Sequence, residues 1–573
     1  MKRRTIKITV QGPLVSQSND LPGFGIDAAM SCDVDGKPYL AGSHVWGKVR
    51  EALTTFDAAY RECGAFSGFD LARWLGKTRN VESGVDEEEF DDLDGRATRR
   101  LIHISDCKGS SDEAAIRSRV AIDPATGAAL DGALQTIETR WKPGKEVIFT
   151  GIVTVMLPDP EADMALRAVS LALNWTIQMG AFGSIGFGQV LSAELLDNVR
   201  DKSTSQTSPL ASSLEVRLDF DGEPFLVSEG RVTPNSFASS EIIPGAAFKG
   251  ALINLINANV GAPPGTFSHT GREKFPLIAE HIDSIRVRHF FPTINTERPN
   301  RIPFDLRQTG RSMAHSVAWD SDGSEIISFL PDWKMQQKKD ASNCVGWPEI
   351  KRELRIRTEI DPRFRAARAE RLFGLEMCQT HGVLWHGKID LFDVSENKRP
   401  DLIKELSTVL QHGLPGFGRS KTFAHVELRD GDAEIQVNGR KNQFILELQS
   451  NALIRCPNQT YQDAFSTLSD DALICSEWFI REKLAGAAFL AERYFNRKRY
   501  RPYLLSEAGS VFVLEVRDGR ENVAEKTVLS WLRKGLQISD SVQAFYDTDA
   551  TWKTCPYIPE NGYGEVRLRE EAS

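Results

Sequence analysis

One order of motifs runs through this 573-residue chain twice, and that repeat limits the folds open to it more than any other feature. Each copy opens on alternating polar and apolar residues, Thr5–Val10 (TIKITV) and Leu214–Phe220 (LEVRLDF), which is the period of a half-buried strand. A turn then runs into a helix, in Pro38–Leu53 and in Ile242–Leu255. A basic strand ending in an Ile-Asp-Pro turn follows, Arg117–Gly127 and Arg355–Arg365, and then a further strand, Phe149–Val153 and Trp385–Leu391. Each copy closes with a glycine loop entering a strand, Gly180–Leu195 (GAFGSIGFGQVLSAEL) and Gly413–Leu428 (GLPGFGRSKTFAHVEL). A third stretch repeats part of this: strands at Phe444–Leu448 and Ala508–Val516, then Gly562-Tyr563-Gly564 entering Glu565–Leu568, without the Ile-Asp-Pro segment. The Ser/Thr-rich stretch 197–213 and the turn-rich stretch 429–442 read as linkers. They divide the chain into 1–196, 214–428 and 443–573, three modules of mixed α+β type.

The length agrees with that division, because a chain this long outgrows a single core and predicts two to four domains. No apolar run approaches the roughly 20 residues that span a bilayer, and the basic N-terminus turns directly into a strand without a signal-peptide core. The eight cysteines form no CxxC pair, which argues against a zinc ribbon and for reduced thiols in the cytoplasm. The net charge of −9 argues only weakly against nucleic acid, since binding needs a local basic surface. Much of the acid lies in one run, Glu82–Asp94, which reads as a solvated loop.

Glycine loops alone are tight turns in which glycine supplies positive φ. Neither GFGQV nor GFGRS continues as a phosphate-cradling P-loop, and both enter a strand instead of opening a helix, which excludes a dinucleotide fingerprint. The combination is more informative. The first helix start, PYLAGSHVWGKVR at 38–50, the second, IIPGAAFKGAL at 242–252, the Ile-Asp-Pro turns and the terminal glycine pairs together resemble the RAMP superfamily of CRISPR-associated proteins. In the first start Ala41 stands where the family has proline, and the Lys-Gly order is changed to Trp46-Gly47-Lys48. The first module resembles the repeated backbone subunit of type III effector complexes. The second and third together resemble the larger subunits of III-D-like complexes, in part through AGSVF at 508–512. The resemblance implies tandem ferredoxin-like, RRM-like modules. It also implies guide RNA, target RNA and other effector subunits as partners, and no membrane.

The residues themselves support RNA. Basic residues interleave with aromatics and prolines at Arg286–Arg311, with six arginines, at Lys351–Arg371, with eight basic against four acidic residues, and at Arg493–Tyr503. Arginine pairs with phosphate and aromatic rings stack on exposed bases. Such segments can equally be solvated faces over an aromatic core. The expected RNA contacts are Lys48, Arg50 and Lys249 at the helix starts, where free N–H groups suit phosphate. Further contacts are expected from Arg286, Arg288, Arg419, Arg497, Lys498, Arg499 and Arg501, beside the glycine loops Gly186/Gly188, Gly416/Gly418 and Gly562/Gly564.

The candidate catalytic residue is Asp27, in the glycine-bearing loop Leu21–Asp33, fifteen residues before Gly42. An aspartate of this loop cuts target RNA in the backbone subunits that the first module resembles. RNA carries its own 2′-hydroxyl nucleophile, so a carboxylate that helps hold a hydrated Mg²⁺ near the phosphate would suffice; no cofactor is expected to bind tightly. The plain alternative is an aspartate capping a turn. Asp33, Asp35, Asp123 and Asp361 read as turn residues, and His44 as a local hydrogen-bonding residue. The matching loop of the second module, 227–241, offers only Glu229 and Glu241, which predicts binding without cutting. A non-catalytic scaffold of the same complex, a guide-processing endoribonuclease and an unrelated multidomain enzyme are the competing readings.

Overall fold

The computed structural model describes residues 1–16, 25–33, 35–63, 70–75, 101–197, 199, 202–227, 230–233, 235–295, 297–309, 312–315, 328–329, 333–360, 367–431, 442–486 and 502–569. Three sheets within them share one order of four antiparallel strands. In the first, Lys2–Gln11 lies between Glu146–Val155 and Gln189–Leu196, with Cys107–Gly109 outside Glu146–Val155. In the second, Ser213–Asp219 lies between Leu384–Asp390 and Thr422–Asp430, with Arg286–Val287 outside Leu384–Asp390. In the third, Gln443–Leu448 lies between Val511–Val516 and Val566–Leu568, with Leu473–Phe479 outside Val511–Val516. The strand that opens each repeat is thus always central.

The alternation in the sequence sets the faces of that central strand. Ile6, Ile8 and Val10 are fully buried while Lys7 and Thr9 stay half-buried on the other face. One helix follows each opening strand: Gly42–Glu62, Gly245–Asn259 and Tyr461–Leu468. A second precedes each closing strand: Asp159–Trp175, Arg399–Leu410 and Glu521–Lys534. Asp159–Trp175 has proline in its first turn and Asp159 and Glu161 at its positive end. It buries Ala162, Ala165, Leu166, Val169, Ala172 and Leu173, the spacing of one helical face. Each sheet has its own apolar core, built around Phe149 and Trp74 in the first, Trp385 and Phe248 in the second, and Phe465 and Phe512 in the third.

Between the second and third strands of every sheet an antiparallel strand pair is inserted, which in the second is extended to four strands by Ser236–Ala238 and Gly230–Thr233. The pairs are Ala115–Ile122 with Ala129–Thr139, Arg352–Ile360 with Ala367–Cys378, and Glu482–Ala485 with Tyr503–Ser506. The first carries Ile116, Val120, Ile122 and Leu134 on its surface, all exposed.

One expectation fails locally. The Ser/Thr-rich stretch read as a linker contains a strand, Thr204–Gln206, which pairs in parallel with Thr422–Asp430. Its partner is a sheet edge, whose unpaired backbone groups accept any extended segment regardless of side chains, so composition could not mark it. The eight cysteines are free thiols. No helix among the described residues is long and apolar enough to cross a membrane.

Candidate nucleic-acid interface

Asp27 is exposed at a three-way junction in the first module. Its backbone N–H donates to the Thr136 carbonyl at 2.8 Å, and its carboxylate Oδ2 accepts the Thr136 N–H at 2.6 Å. The neighbouring Ala28 pairs with Ile137 and accepts the Glu138 N–H at 2.8 Å. Beneath it Val15, Ala28, Ile137 and Phe187 form a small apolar cluster, with Phe182 against it. The loop after the opening strand, the base of the hairpin 115–139 and the glycine loop therefore meet at Asp27. The hairpin projects Arg117 and Arg119 into solvent, and the Arg119 guanidinium carbon lies 5.9 Å from the Phe182 ring centroid. Sequence reading placed Asp27 but missed Thr136, which fixes it from 109 residues away. Among the described residues no group of three acidic, histidine or cysteine side chains could cage a metal ion. At this junction the exposed carboxylate is that of Asp27; Mg²⁺ keeps most of its waters and is often held by only one or two protein carboxylates.

The glycine pairs share one backbone geometry. Gly186, Gly416 and Gly562 have φ of +87°, +89° and +94°; Gly188, Gly418 and Gly564 have +68°, +59° and +65°. Each loop is tied to the chain just past its module's opening strand: Gly188 N–H to Pro13 O, Arg419 N–H to Leu226 O and Gly564 N–H to Asn451 O, each at 2.9 Å. A Cβ on Gly188 or Gly418 would stand 1.9 or 2.0 Å from the carbonyl oxygen of Met179 or Leu226. The pairs are turns that hold the loops, and the first holds Asp27's surroundings. Arg419, beside the second pair, is exposed and stacks over Phe237 at 4.4 Å. Arg497, Lys498, Arg499 and Arg501, with Asp361, Glu229 and the acidic run 82–94, lie outside the described residues.

The first N–H of each helix start already has a side-chain partner within the chain. Asp106 accepts the Gly42 N–H at 2.8 Å, and His289 Nδ1 accepts the Gly245 N–H at 3.3 Å. Of the expected contacts there, Lys48 is half-buried and paired with Glu51 at 3.5 Å, and Arg50 is half-buried. Lys249 is 8% exposed, and burial lowers its pKa to about 8 against the pull of Glu560 and Asp283. His44 makes a local bond, its Nε2 accepting the Gly180 N–H at 3.0 Å.

Several arginines of the first two basic segments also turn inward onto carboxylates of the chain, in their own module and in its neighbours, while Lys351 and Arg357 are exposed. Arg288 Nε donates to Asp390 at 2.8 Å and its Nη1 to Glu565 at 3.2 Å, while Arg298 bridges both oxygens of Glu565 at 2.8 Å. Arg286 is 4% exposed, and burial together with the Arg288 charge lowers its pKa to about 10. Glu565 is buried, which alone would raise its pKa; Arg298 and Arg288 instead bring it down to about 2. From the second segment, Arg355 donates to Asp106 at 2.6 Å and to Glu353 at 2.5 Å, linking the second hairpin to the first helix start. Beside this pair, burial first and then the Asp106 charge raise the Glu223 pKa to about 7. Arg286 and Arg288 thus belong to the joint between the second and third modules, and Arg355 to the joint between the first and second. Sequence could not separate these roles, since arginine beside aromatics serves a buried ion pair and a phosphate equally well.

No family model matches the sequence, and no curated protein does. Among solved structures, parts of the chain are similar to a chain of the type III-B Cmr-beta complex bound to cognate target RNA, at 12% identity, TM-score 0.25, over 34% of this chain and 97% of that one. A chain of a type IV-B CRISPR complex is similar at 15% identity, TM-score 0.23, over 35% and 94%. A longer chain of the Cmr-beta complex bound to cognate target RNA and AMPPnP is similar at 13% identity, TM-score 0.29, over 58% of this chain and 92% of that one.

Proposed function

We propose that this chain is a subunit of a type III CRISPR RNA-guided effector complex, made of three ferredoxin-like RAMP modules, that binds guide and target RNA and cuts target RNA at Asp27. The observation that carries the reading is the junction at Asp27: one exposed carboxylate, fixed by a backbone amide, at the foot of an exposed hairpin bearing Arg117 and Arg119. Neither arginine forms an ion pair with a described residue, so both can meet phosphates. The repeated sheet order and the motifs of the two helix starts support the RAMP assignment. Asp27 lies outside the buried joints, where a backbone strand of RNA can reach it.

The cut needs little from the protein. The 2′-oxygen of the target loses its proton and attacks the adjacent phosphorus; the bond to the 5′-oxygen breaks, and that oxygen takes up a proton. Thr136 holds the Asp27 carboxylate in place, and the hairpin arginines orient the strand. A hydrated Mg²⁺ held by Asp27 would neutralise charge building on the phosphate.

The test is cleavage of guide-matched target RNA by the assembled complex with Mg²⁺. Asp27→Ala is expected to lower the rate by roughly two to four orders of magnitude while target binding persists. A deoxyribose at the cut nucleotide is expected to block cutting. If Asp27→Ala cuts as fast as the parent, the catalytic assignment is wrong. One observation favours a second reading, the non-catalytic scaffold: Asp27 already bonds Thr136 through both backbone and side chain, as a structural aspartate would.

A further inference from the structure

A cleft of about 1130 Å³ opens between the second and third modules. Arg301, Lys338, Trp347, Lys483, Tyr557 and Tyr563 are among the residues that line it. Small-molecule pockets occupy roughly 300–1,000 Å³, so the cleft suits a short run of linked units better than one compact ligand.

Its charges are arranged for an anion. Glu349 is taken by Lys339 at 2.9 Å, Glu507 by Arg481 at 3.4 Å and Glu241 by Arg352 at 3.0 Å. Lys338 and Lys483 are left exposed, without an ion pair to any described residue. Arg301 is the unusual member. Its guanidinium carbon lies 4.7 Å over the Trp347 ring, its Nε is sealed from solvent without a hydrogen-bond partner, and its side chain makes no salt bridge among the described residues. Burial accordingly lowers its pKa, with Glu241 and Glu507 only partly offsetting it. A half-buried guanidinium stacked on an indole and lacking a carboxylate is a platform for a planar, electron-rich partner. Tyr557 and Tyr563, edge to face at 5.2 Å, add aromatic surface in the same cleft.

We infer that this cleft binds a single-stranded RNA segment, with a base stacked at Arg301 and Trp347 and backbone phosphates on Lys338 and Lys483. Bases stack on aromatic and guanidinium planes without sequence preference, while cations track the backbone. The inference rests on the RNA-binding part of the function proposed above and is independent of cleavage at Asp27.

The full chain is irradiated with a short oligouridylate carrying thiouridine, and adducts are mapped by mass spectrometry. Adducts are expected on Trp347, Tyr557 or Tyr563. The double variant Lys338→Glu, Lys483→Glu alters only exposed side chains; it is expected to lose those adducts and to weaken oligouridylate binding by roughly tenfold, most at low salt. Adducts confined to other parts of the chain would overturn the cleft assignment and leave RNA binding standing. No adducts anywhere would overturn both. Equal competition by free uridine monophosphate would make the cleft a mononucleotide pocket and overturn the strand. Protein cross-links at Lys338 and Lys483 in the assembled complex, in place of RNA adducts, would assign the cleft to a partner subunit and also overturn it.

Discussion

The loop after the opening strand carries an acid in both of the first two modules, and the two acids meet opposite fates. Asp27 faces solvent, steadied by the Thr136 amide at 2.6 Å. Glu241 accepts from the Arg352 guanidinium at 3.0 Å and the Trp347 indole N–H at 3.2 Å, in the wall of the cleft toward the third module. One architecture thus yields a carboxylate that a ligand can reach and a carboxylate already spent on its own chain. A site is defined here by what the neighbouring module leaves uncovered, more than by the residue type the loop supplies.

The largest expected effect separates the two acids directly. Asp27→Ala should abolish target cleavage without lowering stability by more than about 1 kcal/mol, as for an exposed residue. Glu241→Gln should leave cleavage unchanged while loosening the segment around Trp347, read by hydrogen exchange at 238–243. Equal loss of cleavage in both variants would erase the contrast.

Next in size is the contact that joins the compared modules. Arg355→Ala leaves Asp106 buried without its guanidinium, and breaking such a pair costs about 3–5 kcal/mol. Because Asp106 also accepts the Gly42 N–H, exchange should rise at the start of the Gly42–Glu62 helix and not in the third module. Asp106 has a lowered pKa: burial would raise it, and Arg355 more than reverses that. Its contribution is therefore present above the unfolded carboxylate range and lost as pH falls below it.

Glu223, in the same joint, works in the opposite direction. Its pKa rises from 4.5 to about 7, so the folded state binds the extra proton. The stability it lends is complete below the unfolded value and lost as pH rises through about 7, a cost of roughly 3 kcal/mol once it ionises. Glu223→Gln should flatten that pH dependence and stabilise the joint above neutrality, as measured by thermal unfolding across pH. An unchanged profile would show that the carboxyl is already charged in the folded chain.

The smallest effect tests the likeness of the modules. Gly186 and Gly416 have nearly equal positive φ and open space where a Cβ would stand. Alanine at either should cost the same, about 1–2 kcal/mol of left-handed strain. Unequal melting shifts would mean that the two turns bear different loads.

The sequence by itself determined the repeat: the alternating strands, the helix starts and the glycines whose positive φ appears in all three modules. These signals are local, because a strand's face and a turn's handedness depend on residues a few positions apart. It also singled out Asp27, from a loop and its distance to Gly42. Only the tertiary structure decided where the arginines went. Arg355 finds Asp106 249 residues away, and Arg298 finds Glu565 267 residues away. A guanidinium reads the same in sequence whether its partner is a phosphate or a carboxylate brought by another module, and packing alone settles which of the two it meets.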